Sequence, residues 1–225
     1  MPQLLTFISV DWIKPLWKEL LRIRDDRTQE LARIGDIFGN PLELAKYYIE
    51  PDCQHHNPAD YNEDEPISLV RSPVFKTINS FFSGEFAPKK DGRTQMFILS
   101  DAGMGKTSLL MMLKLAHLTA FWPQQYECVL LRLGSDSLDK IANIQNQNCT
   151  ILLLDALDED PKAWGRIEWR LRELLNATEN FKRVIISCRT QFFPEGATDP
   201  FGLPGRLVVE PFVCPVIYYG VNRID

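Results

Sequence analysis

The stretch FILSDAGMGKTS (97–108) constrains the chain more than any other: four residues of strand character lead through a turn with two glycines into a Lys-Thr pair that opens the helix SLLMMLKL. An apolar strand of this kind must be covered on both faces, which calls for a sheet with helices packed against it. The glycines let successive backbone N–H groups curl around an anion, and the helix N-terminus adds partial positive charge. The spacing follows G-x-x-x-x-G-K-[ST], with Ser100 where the first glycine belongs. Ser100, Asp101, Ala102, Gly103, Met104, Gly105, Lys106, Thr107 and Ser108 would then wrap the phosphates of a nucleotide. Lys106 would reach the β- and γ-phosphates, and Thr107 would bind Mg²⁺ through its hydroxyl.

From Thr94 onward short apolar runs alternate with amphipathic helical patterns, the grammar of parallel strands joined by crossover helices. Strands are expected at QMFILS (95–100), ECVLLRL (127–133), CTILLLD (149–155), RVIISC (183–188) and RLVVE (206–210). Between the third and fourth, Trp164, Ile167, Leu171 and Leu174 would line one helical face. The expected fold is α/β, a three-layer phosphate-binding domain with a five-stranded, mainly parallel sheet over 71–225, preceded by a helical N-terminal segment over 1–50 and an irregular connector over 51–70. In the N-terminal segment Ile13, Leu16, Trp17, Leu20, Leu21, Leu31, Ile34 and Phe38 predict a helical hairpin or one bent helix. Gly39-Asn40-Pro41 ends it and starts a short helix to about Tyr48, with Asn40 as N-cap, Pro41 at the first helical position and Glu43 at the capping-box position.

The companion of the phosphate turn is TILLLDALDED (150–160), an apolar strand ending in acids. Asp155 at its C-terminal end would hold Mg²⁺ through water, while Asp158 or Glu159 would orient or deprotonate an attacking water. The strand RVIISCRT (183–190) carries Arg189 at its tip, placed either to contact a γ-phosphate or to pair with the acids of 158–160.

Composition narrows the partners. With 45% hydrophobic residues in 225 the chain can bury a core, and 25 basic against 30 acidic residues leave a net charge of −5, so nucleic acid is not the default partner. The five cysteines are odd in number, scattered and without a C-x-x-C pair, which fits a reducing compartment. MPQLLTFISVDW lacks the features of a secretory signal, and the apolar stretch from Leu109 to Trp122 is interrupted by Lys114 and His117, so a soluble, cytoplasmic protein without a membrane partner is expected. Cys53, His55 and His56 read as a polar loop more than a metal half-site, and Cys188 lacks a nearby histidine to make it a nucleophile. Trp164 reads as core, Trp169 as an exposed contact residue, and Met111 and Met112 as packing against the sheet.

Together ILSDAGMGKTSLL, ILLLDALDED and VIISCRTQFF resemble the NACHT group of signal-transduction P-loop ATPases; the diagnostic feature is an apolar strand followed by Asp155, the small Ala156, Leu157 and the Asp158-Glu159 pair. The resemblance runs from about Tyr48 to Tyr219, and Tyr48-Ile49-Glu50-Pro51 looks like the segment that leads into the nucleotide site in such proteins. It implies ATP and Mg²⁺ as cofactors and a switch that rests with diphosphate, exchanges to ATP on sensing a ligand, assembles into a homo-oligomer in a full-length context, and resets by slow hydrolysis. Bacterial relatives of the group are similar to antiphage defence proteins. NACHT proteins continue into a helical lid, a winged helix and a sensor array, where this chain reads CPVIYYGVNRID (214–225), so the resemblance implies a fragment or a truncated product. Two other readings stay open: a non-hydrolysing regulatory or scaffold module, and a P-loop motor or kinase, for which the sequence offers no second substrate pocket.

Overall fold

The computed structural model describes residues 13–53, 72–83, 94–120, 125–192 and 216–218. The chain divides into two compact units, Met1–Pro41 and Leu42–Asp225. In the first, a single helix, α1 (Ile13–Phe38), takes the place of the hairpin alternative. It stops where Gly39 adopts a left-handed backbone, φ +97, and donates its N–H to the Gly35 carbonyl. A side chain would resist that conformation, so glycine sets the end. Helix α2 (Pro41–Tyr47) restarts with proline in the first turn, where a missing N–H costs nothing. Exposed pairs such as Arg22–Asp26 run along α1 and contribute only tenths of a kcal/mol each.

The second unit is α/β. Strand β1 (Asp52–Cys53) pairs antiparallel with β2 (Ser72–Pro73), which leads straight into helix α3 (Val74–Ser83). The sequence reading did not anticipate α3, although its buried Val74, Thr77, Ile78 and Phe81 follow the i, i+3, i+4, i+7 pattern. Strand β3 (Gln95–Ser100) feeds helix α4 (Lys106–Thr119); β4 (Glu127–Arg132), helix α5 (Ser137–Ala142), β5 (Thr150–Asp155), helix α6 (Ile167–Ala177) and β6 (Arg183–Arg189) follow. These four longer strands form a parallel sheet in the order β4-β5-β6-β3. A short β7 (Val216–Tyr218) pairs antiparallel on the free side of β3. The strand expected at 206–210 lies outside the described residues, as do His55, His56 and Cys214.

This order decides where a site can form. From β3 the chain crosses the sheet to its far edge at β4, then returns one strand at a time through β5 to β6. Because crossovers keep one hand, reversing direction puts α4 on one face and α5 with α6 on the other. The loops leaving β3 and β5 therefore part to opposite sides of the sheet at the strands' C-terminal ends, the place where open α/β sheets take their ligands. Every residue of β5 is buried, and Leu152, Leu153, Val184, Ile185, Met96 and Leu99 form the sheet's core. Each such side chain removed from water stabilises the fold by about 1.5–3 kcal/mol.

Trp164 departs from expectation. It is 67% exposed rather than core, because α6 begins only at Ile167 and Gly165, at φ +74, breaks the helical phase before it. Trp169 is exposed as expected, and Met111 is buried. Among the described residues no helix is long and apolar enough to cross a membrane.

Candidate functional site

At the C-terminal end of β3 the chain turns through Asp101–Gly105 before α4 begins. The left-handed conformations fall on Gly103 and Gly105, at φ +77 and +79. An added Cβ at Gly103 would meet nothing within 4 Å, so backbone conformation and not crowding demands glycine there. Ser100 closes β3 as an ordinary strand residue, which is why the first motif position tolerates a side chain. The first N–H groups of α4 have no intrahelical acceptor and point, with the helix dipole, into the mouth of the turn. Ala102, Gly103 and Gly105 are exposed, and Lys106, Thr107 and Ser108 half-buried.

Lys106 folds back over this turn. Its ammonium donates to the Ser100 carbonyl at 2.9 Å, the Ser100 hydroxyl at 3.1 Å and the Asp101 carbonyl at 2.8 Å. Burial makes its proton easier to lose than that of a free lysine, while the nearby Asp158 carboxylate acts the other way.

Next to Lys106, Thr107 donates its hydroxyl to Asp155 Oδ2 at 2.8 Å. The other carboxylate oxygen, Oδ1, accepts the Ser187 hydroxyl of β6 at 2.7 Å, and Ser187 in turn accepts the Ala156 N–H. Residues of α4, β5 and β6 are thereby joined through one carboxylate. Asp155 is 2% exposed, and burial raises its carboxyl above the usual range against the lowering effect of the Ser187 and Thr107 hydroxyls. A hydroxyl and a carboxylate oxygen side by side are hard donors that suit Mg²⁺, which commonly takes one or two protein carboxylates and completes its shell with phosphate and water. Among the described residues no group of three His, Cys, Asp or Glu could hold a metal by itself.

After Asp155 the chain turns sharply. Ala156 sits at φ +60, a conformation costly for any residue with a side chain, and the 3₁₀ turn Leu157–Glu159 follows. This turn presents Asp158 and Glu159 to two arginines. Arg189, at the end of β6, meets Asp158 through Nε at 2.6 Å and its backbone N–H at 3.1 Å, and lies 3.8 Å from Glu159. Arg132, at the end of β4, pairs with Glu159 Oε2 at 2.5 Å. Of the two placements expected for Arg189, the structure shows the pairing with the acids. Beneath them the fully buried Arg170 of α6 binds Asp160 Oδ2 at 2.7 Å and the Gly134 carbonyl at 3.1 Å, bolting the acid turn to α6 and to the loop after β4.

The residues read from the sequence as phosphate-binding, metal-binding or catalytic thus lie at one end of the sheet, and Thr107 reaches Asp155 directly. Sequence reasoning missed three contributors, Ser187, Arg132 and Arg170, and read Asp160 only as one of the acids open to Arg189, where the structure pairs it with Arg170. Ser187 was visible as a polar residue in an apolar strand. The two arginines carry no spacing signal, since Arg132 and Arg170 meet their acids only through the strand order and the packing of α6. Cys188 is buried and its thiol is pushed well above the usual range by burial, the opposite of the shift that activates a thiolate. Cys53 is likewise buried, with hydroxyl partners in Thr77 and Ser72. No protein-family model matches the chain, and no curated protein matches it.

Proposed function

We propose that the chain is the nucleotide-binding core of a NACHT-like signalling or defence protein, binding a nucleoside triphosphate with Mg²⁺ and hydrolysing it slowly. The choice of ATP rests on the sequence resemblance. One observation carries the reading: the 2.8 Å hydrogen bond from Thr107 to Asp155, residues 48 apart that strand order alone brings into contact. A bland strand-turn-helix followed by an unrelated acidic loop has no reason to join these two oxygens. The donor set fits the cofactor. When bound, Mg²⁺ would neutralise phosphate charge and orient the terminal group.

The chain's own residues would do the rest. The N–H groups of 103–108 would bind phosphate oxygens, and Lys106 would exchange at least one loop carbonyl for them. Thr107 and Asp155 would hold the metal. Arg189 would leave Asp158 for the γ-phosphate, and Asp158 or Glu159 would accept a proton from water. On the same reading the module works in the cytoplasm with nucleotide as its partner, and homo-oligomers belong to a full-length context.

The test is Lys106→Ala, assayed with a fluorescent ATP analogue. Loss of charge-assisted contacts worth ~1.5–3 kcal/mol should weaken binding roughly ten- to a hundredfold. Equal binding by wild type and variant would end the reading. A second reading, a non-hydrolysing regulatory module, is favoured by the arginines that engage both Asp158 and Glu159. Turnover by the wild-type chain decides between the two.

A further inference from the structure

Besides the Arg189–Asp158 pair, two ion pairs of contrasting burial hold the acid turn. Arg170 and Asp160 are both fully buried, so that pair is a fixed bolt. Arg132 and Glu159 are each about half exposed, at 51% and 44%, so their pair can open at little cost. Both oxygens of Glu159 face arginines in this arrangement. Its Oε2 is taken by Arg132, and its Oε1 faces Arg189 at 3.8 Å. Both partners are guanidinium groups that keep their positive charge. The register explains the reach: Arg132 is paired across the sheet with Asp155, four residues before Glu159, so its guanidinium stands beside the turn that carries the acid.

We propose that Arg132 is a latch on Glu159: it draws the carboxylate toward β4 and holds it out of use, and each turnover requires this pair to open. The inference rests on the nucleotide reading above and adds to it a restraint built from a residue outside the recognised motifs. Arg132 acts through Glu159 and is a positioning residue. The groups facing Glu159 are Arg132 from β4, Arg189 from β6 and, at longer range, Asp155 from β5.

The experiment compares wild type, Arg132→Gln, Arg132→Lys, Glu159→Gln and the Arg132→Gln/Glu159→Gln double variant of the whole chain. Single-turnover hydrolysis of ATP with Mg²⁺ is measured beside nucleotide affinity. An exposed pair of this geometry biases its equilibrium by roughly two- to fivefold, so Arg132→Gln should hydrolyse about two to five times faster at saturating ATP, with affinity unchanged. Arg132→Lys, which keeps the charge without the planar fork, should fall between. The acceleration should vanish in the Glu159→Gln background, an outcome that a merely structural role for Arg132 would not produce. Unchanged or slower turnover by Arg132→Gln with binding intact overturns the latch and leaves the nucleotide reading standing, as does equal acceleration in the Glu159→Gln background. Failure of the wild-type chain to bind nucleotide overturns both. Arg132→Lys guards against a folding artefact, since it preserves the pair's charge.

Discussion

The buried bolt beneath the site allows a quantitative test. Asp160→Ala removes the carboxylate that Arg170 Nε meets at 2.7 Å and that also accepts the Lys162 N–H. The guanidinium is left fully buried with the Gly134 carbonyl and the Glu173 carboxylate, the latter 3.3 Å away and only partly shielded. Breaking a buried pair by deleting one partner costs about 3–5 kcal/mol, and Glu173 should hold the loss toward the lower end. Against a net stability of ~5–15 kcal/mol this is a large fraction. At roughly 2–4 °C per kcal/mol for a domain of this size, Tm should fall by about 6–12 °C. Asp160→Ala/Arg170→Met removes both charges. The polar groups then stranded, the Lys162 N–H, the Gly134 carbonyl and the Glu173 carboxylate, belong to residues that water reaches, so the double variant should return to within ~1 kcal/mol of wild type. Urea unfolding followed by far-ultraviolet circular dichroism, without nucleotide, gives both numbers. A loss under ~0.5 kcal/mol for the single variant, or a double variant no more stable than the single, would refute the reasoning.

Three further outcomes are expected. Burial, the largest influence, raises the Asp155 carboxyl, so its contribution to stability is fully present below the ordinary carboxylate pKa of about 3.9 and is lost as pH rises through the raised value. Asp155→Asn should therefore melt higher than wild type at pH 7, with the difference closing below about pH 4, while the Mg²⁺ dependence of nucleotide binding weakens. Gly105→Ala forces a side chain into the left-handed region and should cost about 1–2 kcal/mol in thermal unfolding, with no clash to add, since the nearest atom to a new Cβ is 4.0 Å away. Trp164 donates its indole N–H to the Asp158 carbonyl, so if nucleotide draws Arg189 off Asp158, emission should change on adding Mg-ATP and the change should be lost in Trp164→Phe. An identical response in that variant would place the signal elsewhere.

Much of this protein was already determined by its sequence, because the deciding interactions are local. Apolar runs too short for helices marked β3, β4, β5 and β6 to within a residue or two, and Gly39-Asn40-Pro41 marked the end of α1 and the start of α2. The turn at Gly103 and Gly105 was legible because only glycine takes its backbone conformation at no steric cost. Other features depend on contacts between distant segments. These are separate from two local signals that went unread, the glycine at 165 that breaks the helical phase after Trp164 and the helical pattern of α3. Strand order brought Thr107 to Asp155, Arg132 to Glu159 and Arg189 to Asp158, and the packing of α6 buried Arg170 against Asp160. Charge carries no address along the chain: an acid four residues past a strand end reads the same whether solvent or an arginine awaits it. Only the crossing of β3 to the far edge of the sheet and the return through β5 to β6 chose its partner.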